Sequence, residues 1–300
     1  MAIRKYVGEL ESVLVLGCCV ILAGAVVQAG ITAKEKLTKL TEKEFAELQN
    51  QARHGDPGAE AALAVAYEEG IHVQEDLGRA IMWYRRAARG GNAEVQHHLG
   101  VIYEEGRGVA QSFAEAAEWY RRAAALGYAP AQCNLGNLYQ AGKGVPHDLS
   151  RAAKWYEVAA RQGDAQAQSN LGYVYQYGQG VMRDEQQAVF WYTKAATQGF
   201  SVAETNLGVM YALGQGIQAD EAEAIRWFEK AAAQGSSRAL VNEARVYMHG
   251  QHVPPDYSLA YKLLLRAVAS GEEAAEPLLK QCREYLQGDP APETATAVQH

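Results

Sequence analysis

The chain has 300 residues, 21% of them charged, and a net charge of −7 with an isoelectric point near 5.7. Its 48% hydrophobic content is enough for a large core. The acidic balance argues against nucleic acid as a partner, because the longest basic stretches are arginine pairs such as Arg85-Arg86 and Arg121-Arg122, which read as solvated helix surface.

The N-terminal segment has the pattern of an export signal. Residues 13–27 form an uncharged apolar run, preceded by two basic residues and followed by small ones. Cleavage would follow Ala25 or Ala29, which leaves an exported periplasmic or secreted protein. The alternative is an uncleaved anchor, in which residues 13–29 tether the chain to the inner membrane. The run is short for a span of about 20 residues, and this favours cleavage.

A single helix is predicted to precede the main body of the chain. Residues 41–54 begin with Thr41 and Glu44, which have the spacing of a capping box. Leu48 falls in the register of an aromatic column that recurs through the rest of the sequence. We therefore expect this helix to close the first end of a repeat array.

The main body repeats every 36 residues. All five tryptophans obey this period, and columns of tyrosine, leucine and alanine follow the same register. The tryptophans are Trp83, Trp119, Trp155, Trp191 and Trp227. A period between about 20 and 50 residues indicates a solenoid, in which each repeat buries its apolar face against its neighbours. Function should then be sought where the repeats differ.

Each repeat is predicted to contain two helices, A and B. In the stretch 129–163, apolar residues from Pro130 to Ala141 have helical spacing and form helix A, which glycines interrupt. Asp148 then caps helix B, which Gly163 ends. Cap residues and exit glycines recur in every repeat, whereas His72 and His252 replace a loop glycine in the first and last repeats. Histidine tolerates the positive φ expected there.

The residues of one repeat resemble a known family. Asn134 to Val145, followed by Asp148 and by Ala152 to Tyr156, is similar to a Sel1-like repeat, a relative of the tetratricopeptide repeat. The resemblance implies an all-α, right-handed superhelical solenoid of about six helix-pair repeats of 36 residues. It also implies an adaptor for other proteins, in a family common in bacterial envelope, signalling and host-interaction systems, and it implies no reaction.

The domain organisation follows from these patterns. The predicted segments are a signal peptide or anchor (1–29), a linker with a capping helix (30–56), the repeat array (57–271), a C-terminal capping helix (272–286) and a disordered tail (287–300). Beyond the signal, Cys133 and Cys282 lie about four repeats apart. At roughly 10 Å per helix layer they are too distant for a disulfide, so packing alone must stabilise the array.

Few residues of the sequence have the pattern of a catalytic, phosphate-binding or metal-binding site. The Gly-x-Gly segments resemble fragments of phosphate loops, but they join two helices and recur in each repeat. His97-His98 and the pair His249 and His252 lack an acidic third ligand in a suitable place. No serine or cysteine stands in a nucleophile elbow. We therefore predict no catalytic residue, no metal and no cofactor.

An asparagine column is the strongest candidate for a binding site. It consists of Asn134, Asn170, Asn206 and Asn242, each in mid-helix A, where asparagine is less favourable than alanine by several tenths of a kcal/mol. In a superhelix of this family helix A lines the concave face. The amides could then form an outward ladder that grips an extended peptide backbone. The alternative is that each asparagine bonds to the neighbouring repeat.

The residues beside this column vary from repeat to repeat, as a specificity surface would. Among them, Asn137, Tyr173, Tyr177, Leu213 and His249 are predicted to contact a partner. Glu68, Glu69, Glu104 and Glu105 form an acidic stretch that would favour a basic partner segment, unless they are solvated helix ends.

The sequence thus predicts a non-enzymatic scaffold that binds a protein or extended peptide in its concave groove, with its oligomeric state open. One alternative is an envelope enzyme, since some members of the family have been associated with β-lactam or peptidoglycan chemistry. Another is a regulatory inhibitor that holds a sensor protein through the same groove.

Overall fold

The computed structural model describes residues 34–288, which contain helices and no strand. After a helical stretch at 34–38, fourteen helices follow in chain order. They are α1 (Glu42–Arg53), α2 (Pro57–Glu69), α3 (Leu77–Arg89), α4 (Ala93–Glu105), α5 (Phe113–Ala125), α6 (Ala129–Ala141), α7 (Leu149–Arg161), α8 (Ala165–Tyr177), α9 (Glu185–Thr197), α10 (Ser201–Leu213), α11 (Glu221–Ala233), α12 (Ser237–His249), α13 (Tyr257–Ala269) and α14 (Ala275–Gln287). The predicted export segment lies outside the described residues, as does the tail beyond Gly288.

The prediction of an all-α fold made of six helix pairs is confirmed. Even-numbered helices from α2 to α12 are the A helices, and odd-numbered helices from α3 to α13 are the B helices. Within residues 34–288, no helix combines the length and the hydropathy needed to cross a bilayer.

The described chain forms two compact units. The N-terminal unit comprises residues 34–167 and 179–181, and in it each helix from α1 to α7 packs against the next. The C-terminal unit comprises residues 168–178 and 182–288. There each helix from α9 to α14 packs against the next, and α10 also contacts α12 directly.

The helix ends follow the predicted chemistry. All six helix B caps accept a hydrogen bond from the backbone N–H three residues later, and Thr41 and Glu44 form a complete capping box. The caps are Asp76, Ser112, Asp148, Asp184, Asp220 and Asp256. The exit glycines after the B helices have the left-handed φ that was predicted, for example +98° at Gly163.

The loop of the last repeat departs from the pattern. His72 has the expected positive φ of 58°, but the expectation for His252 is wrong, because it is not among the positive-φ residues of the described chain. The buried Glu221 carboxylate instead accepts the backbone N–H groups of residues 251–253, at 2.8, 2.8 and 2.9 Å. The loop bends around this anion, so the left-handed turn is not needed.

Helix A carries a glycine where the aromatic ring of helix B rests on its backbone. A Cβ atom at Gly136 would lie 2.6 Å from the Tyr156 ring, and one at Gly208 would lie 2.5 Å from the Phe228 ring. Gly100 and Gly172 meet the rings of their own repeats in the same way. These rings are fully buried, so this contact forms the centre of the helix pair in the four middle repeats, whereas the first and last repeats have Ala64 and Ala244 in place of the glycine.

The tryptophan column lies at the edge of this core. Trp83, Trp119 and Trp191 are 8 to 9% exposed, whereas Trp155 and Trp227 are half-buried. Four of the five rings are covered by a cation three residues further along helix B, such as Arg86 over Trp83 at 4.5 Å and Lys230 over Trp227 at 3.8 Å. At Trp155 the equivalent residue is Val158.

Because these glycines make room for the rings, replacing one by alanine should destabilise the protein, although helix propensity alone would favour alanine. Gly136→Ala should lower the free energy of unfolding by about 1–3 kcal/mol, because the methyl group displaces the Tyr156 ring. Intrinsic helix propensity alone would stabilise the variant by about 1 kcal/mol. Chemical denaturation followed by circular dichroism measures the difference.

Gly78→Ala is the matched control, since Gly78 is exposed and its equivalents Ala114, Ser150 and Ala222 already carry a Cβ. This variant should be as stable as the wild type or more so. A stabilised Gly136→Ala variant would show that the ring contact does not require glycine.

A buried carboxyl group in the last repeat should make the stability of the protein depend on pH. Glu243 replaces the columnar leucine in α12 and is 5% exposed. Burial raises its pKa to about 7; Glu229 adds to the rise and Arg266 offsets part of it. Because this pKa exceeds that of an unfolded glutamate, about 4.3, the stability that the carboxyl contributes is lost as the pH rises through about 7. Glu243→Gln should therefore melt close to the wild type near pH 5 and above it near pH 8.

Thermal unfolding at several pH values measures this difference. Glu276→Gln, at an exposed position on α14, is the control and should show no such trend. Equal shifts of the Glu243→Gln melting temperature at both pH values would contradict the assignment.

Candidate protein-binding site

The asparagine column is buried rather than accessible. Asn134, Asn170, Asn206 and Asn242 have 5, 7, 7 and 1% of their surface exposed. The expectation of an outward ladder is therefore wrong. Each asparagine stands one residue before the columnar position, which is leucine in three of these repeats and Glu243 in the last, and at this angle around helix A it faces packed neighbours rather than solvent.

The contacts of the column support the alternative that the sequence left open. The Asn134 amide donates to Nε2 of His97, which belongs to the preceding repeat, at 3.1 Å. His97 is fully buried, and burial, with a contribution from His98, lowers its pKa to about 3, so its ring is neutral. In the C-terminal unit, burial raises the pKa of the Tyr192 hydroxyl, and a hydrogen bond with Asn206 offsets part of this rise.

The other predicted residues keep accessible surface. Tyr173, Tyr177 and Leu213 are half-buried and His249 is exposed. Asn137, in the N-terminal unit, is half-buried and its Oδ1 accepts from the Tyr156 hydroxyl at 2.8 Å. Their assignment to partner binding remains a prediction.

In the C-terminal unit these accessible residues share one face. Tyr177, Leu213 and His249 hold the same repeat position on α8, α10 and α12. The rings of Tyr173 and Tyr177 lie 4.7 Å apart between centroids, one helical turn from each other. We call Tyr173, Tyr177, Leu213 and His249 the variable face. Val209 and Arg245, which hold the repeat position of Tyr173 on α10 and α12, are buried at 1 and 6% exposed.

The acidic stretch of the N-terminal unit is largely neutralised. Glu69 pairs with Lys34, and Glu105 pairs with Arg107 at 2.7 Å. Glu68 accepts hydrogen bonds from the Tyr84 hydroxyl at 2.5 Å and from Arg107 at 3.1 Å, and His98 lies 3.1 Å away. Burial by itself would raise the pKa of Glu68, but these contacts together lower it to about 2. These carboxylates therefore act first within the fold.

Glu68 belongs to a column that sequence reasoning missed. The residue 16 positions before the helix B tyrosine accepts a hydrogen bond from its hydroxyl: Glu104 from Tyr120 at 2.6 Å, Gln140 from Tyr156 at 2.6 Å and Gln176 from Tyr192 at 3.0 Å. In the fifth repeat the aromatic residue is Phe228, which has no hydroxyl, and the matching residue is Ala212. The paired change could have been found in the sequence.

The same column reaches the next repeat. The middle residue of the Gly-x-Gly loop bonds to this column in three of the four loops: Arg107 to Glu68, Gln179 to Gln140 and Gln215 to Gln176, each at 3.1 Å. Where the helix A residue is a glutamate, the loop residue is basic, and where the helix A residue is a glutamine, the loop residue is also a glutamine. These loops are therefore connectors between repeats, and their lysine and arginine are used in packing rather than in holding phosphate.

Metal chemistry finds no support in the described part of the chain. Residues 34–288 contain no group of three or more His, Cys, Asp or Glu side chains that could hold an ion. His98 bonds to Glu68, whereas His97 is enclosed between the rings of Tyr120 and Tyr128. Cys133 and Cys282 are buried, and no disulfide joins them.

Fold and surface together define an all-helical repeat protein with a shared packing core and a variable face. A family model described as Sel1 repeat matches six consecutive segments, 57–92, 93–128, 129–164, 165–200, 201–236 and 237–272. The chain belongs to the Sel1 repeat family.

Two solved structures are similar to the chain. A protective antigen present in uropathogenic Escherichia coli strains, which displays an SLR fold, is 34% identical, with a TM-score of 0.73. The match covers 81% of this chain but 52% of that protein, so this chain spans about half the relative's length. A Sel1 repeat protein from Oxalobacter formigenes is 30% identical, with a TM-score of 0.69 and 81 and 97% of the two chains covered. Comparison with curated protein sequences gives no match.

Proposed function

We propose that this chain is a non-enzymatic scaffold that binds a partner protein, and that the variable face of the C-terminal unit holds an extended segment of that partner. The observation that carries the proposal is the aromatic pair Tyr173 and Tyr177. Its rings keep accessible surface although the rings at the centre of each helix pair are fully buried.

The chemistry of the face suits a protein segment. Tyrosine has a large apolar ring, and aromatic residues supply much of the binding energy in protein interfaces. The Tyr177 hydroxyl is itself buried, so this residue offers its ring to a partner. Leu213, one repeat further on, adds an aliphatic contact, and His249 ends the face with a polar ring. A row of different side chains at one repeat spacing can read successive side chains of an extended segment.

The burial of the asparagine column changes how the segment would be held. With at most 7% of its surface exposed, an Asn170, Asn206 or Asn242 amide is poorly placed to bond with a partner's backbone. Affinity is therefore assigned to side-chain packing on the variable face. Substitutions there should affect binding more than stability.

Binding to the native partner tests this proposal. The tagged full-length wild type should capture a partner from its native cells, and Tyr177→Ala combined with Leu213→Ala should weaken that complex by about tenfold or more, because truncated interface anchors cost about 1–2 kcal/mol each. The affinity is measured with the captured partner after purification, and the melting temperature is recorded alongside.

Phe190→Ala is the matched control, since Phe190 is an aromatic residue of α9 with 46% of its surface exposed and lies outside the variable face. It should bind as the wild type does. A partner that binds the double variant at full affinity would place the site elsewhere. Turnover of a β-lactam by the purified chain, abolished by one substitution, would contradict the non-enzymatic assignment.

We further propose that the protein acts after export, on the strength of the apolar segment 13–27. N-terminal sequencing of the protein from its native cells should give a chain that starts near residue 26 or 30. An intact Met1 on a membrane-bound protein would favour the anchor, and an intact Met1 on a protein in the cytosolic fraction would contradict export.

A further inference from the structure

The outer side of helix α3 carries a cavity that the proposed function does not use. Its volume is about 380 Å³, within the range of ligand pockets, and its floor is apolar. The lining residues are Gly78, Ile81, Met82, Arg85, Arg86, Arg89 and Val109. All of them belong to the N-terminal unit.

Two residues that line the cavity differ from their equivalents in the second repeat. Gly78 has no side chain, whereas the equivalent residues are Ala114, Ser150, Gln186 and Ala222. Met82, 47% exposed, stands where the second repeat has Glu118. Space and an apolar surface thus replace side-chain bulk and charge.

Because Met82 carries no charge where the second repeat has Glu118, positive charge is left at the rim of the cavity. In the second repeat Glu118 forms ion pairs with Arg121 and Arg122. In the first repeat Arg86 is neutralised by Glu60 at 2.9 Å. Arg85 contacts the uncharged Tyr103, through its hydroxyl and its ring, and forms no ion pair with any residue of 34–288.

Arg89, the third rim arginine, has no hydrogen bond or ion pair among residues 34–288, and no carboxylate lines the cavity. Two guanidinium groups, those of Arg85 and Arg89, therefore flank an apolar floor without a counter-charge.

We propose that this cavity is a second docking site, which takes an acidic protein segment with one bulky apolar side chain flanked by carboxylates. The apolar side chain fills the space above Ile81 and Met82, and the carboxylates pair with Arg85 and Arg89. Guanidinium and carboxylate groups match in geometry and form strong charge-assisted hydrogen bonds. The chain's net charge of −7 opposes an extended polyanion such as nucleic acid or an anionic membrane, whereas a short segment senses mainly the local arginines.

Selection from a library of short random peptides on the full-length protein tests the proposal. The enriched peptides should combine a bulky apolar residue with at least two acidic ones. Their affinity should fall by about tenfold for Arg85→Gln combined with Arg89→Gln, since two charge-assisted contacts are lost. Gly78→Gln, which introduces the residue found at position 186, should weaken binding by filling the cavity.

Arg121→Gln combined with Arg122→Gln is the matched control, because it also removes two positive charges, but from α5 rather than from the rim of the cavity. This variant should bind the peptides as the wild type does. Tyr177→Ala combined with Leu213→Ala should also bind them with unchanged affinity, because the cavity and the variable face are different sites. The melting temperature of each variant confirms that it is folded.

The proposal is overturned if no acidic and apolar peptides are enriched, or if the enriched peptides bind the Arg85→Gln, Arg89→Gln variant at full affinity. Phosphatidylglycerol vesicles are the second probe. Vesicle binding that depends on Arg85 and Arg89, without peptide enrichment, would assign the cavity to lipid and also overturn the proposal.

Discussion

The contact on which the four middle repeats depend is the aromatic ring of helix B against a glycine of helix A. With a Cβ atom at Gly100 or Gly172, the methyl carbon would lie 2.4 or 2.7 Å from the ring, which is closer than carbon atoms approach without displacement. Glycine is unfavourable in mid-helix by about 1 kcal/mol, so its recurrence reflects packing rather than helix formation. The first and last repeats have Ala64 and Ala244 at this position, so only small residues occur there.

Around that fixed contact, the repeats differ in ways that either keep the packing or create surfaces. The change from tyrosine to Phe228 is matched by Ala212, so no buried acceptor loses its donor. The loop residues follow the charge of the helix A residue that they contact. By contrast, the variable face and the arginine-rimmed cavity change without such compensation. That distinction, rather than exposure alone, is why we assign binding to them.

Much of the fold could be predicted from the sequence, because period, caps and exit glycines are local signals that agree with one another. Tryptophan was the clearest marker of the period, yet the fully buried rings are those of Tyr120, Tyr156, Tyr192 and Phe228. The asparagine column was misplaced because helical spacing gives an angle around one helix, whereas burial depends on where the neighbouring helices pack. The cavity at α3 lies beside Gly78, which has no side chain, and the repeat period of the sequence does not show that a cavity forms there.

Hydrogen exchange on a Gly208→Ala variant tests the central claim most directly, because it measures local stability helix by helix. Exchange should become faster in α10 and α11, where a methyl group displaces the Phe228 ring, and should stay unchanged in α1 to α3. Unchanged protection in α10 and α11 would contradict a role of the contact between ring and glycine in holding these helix pairs together.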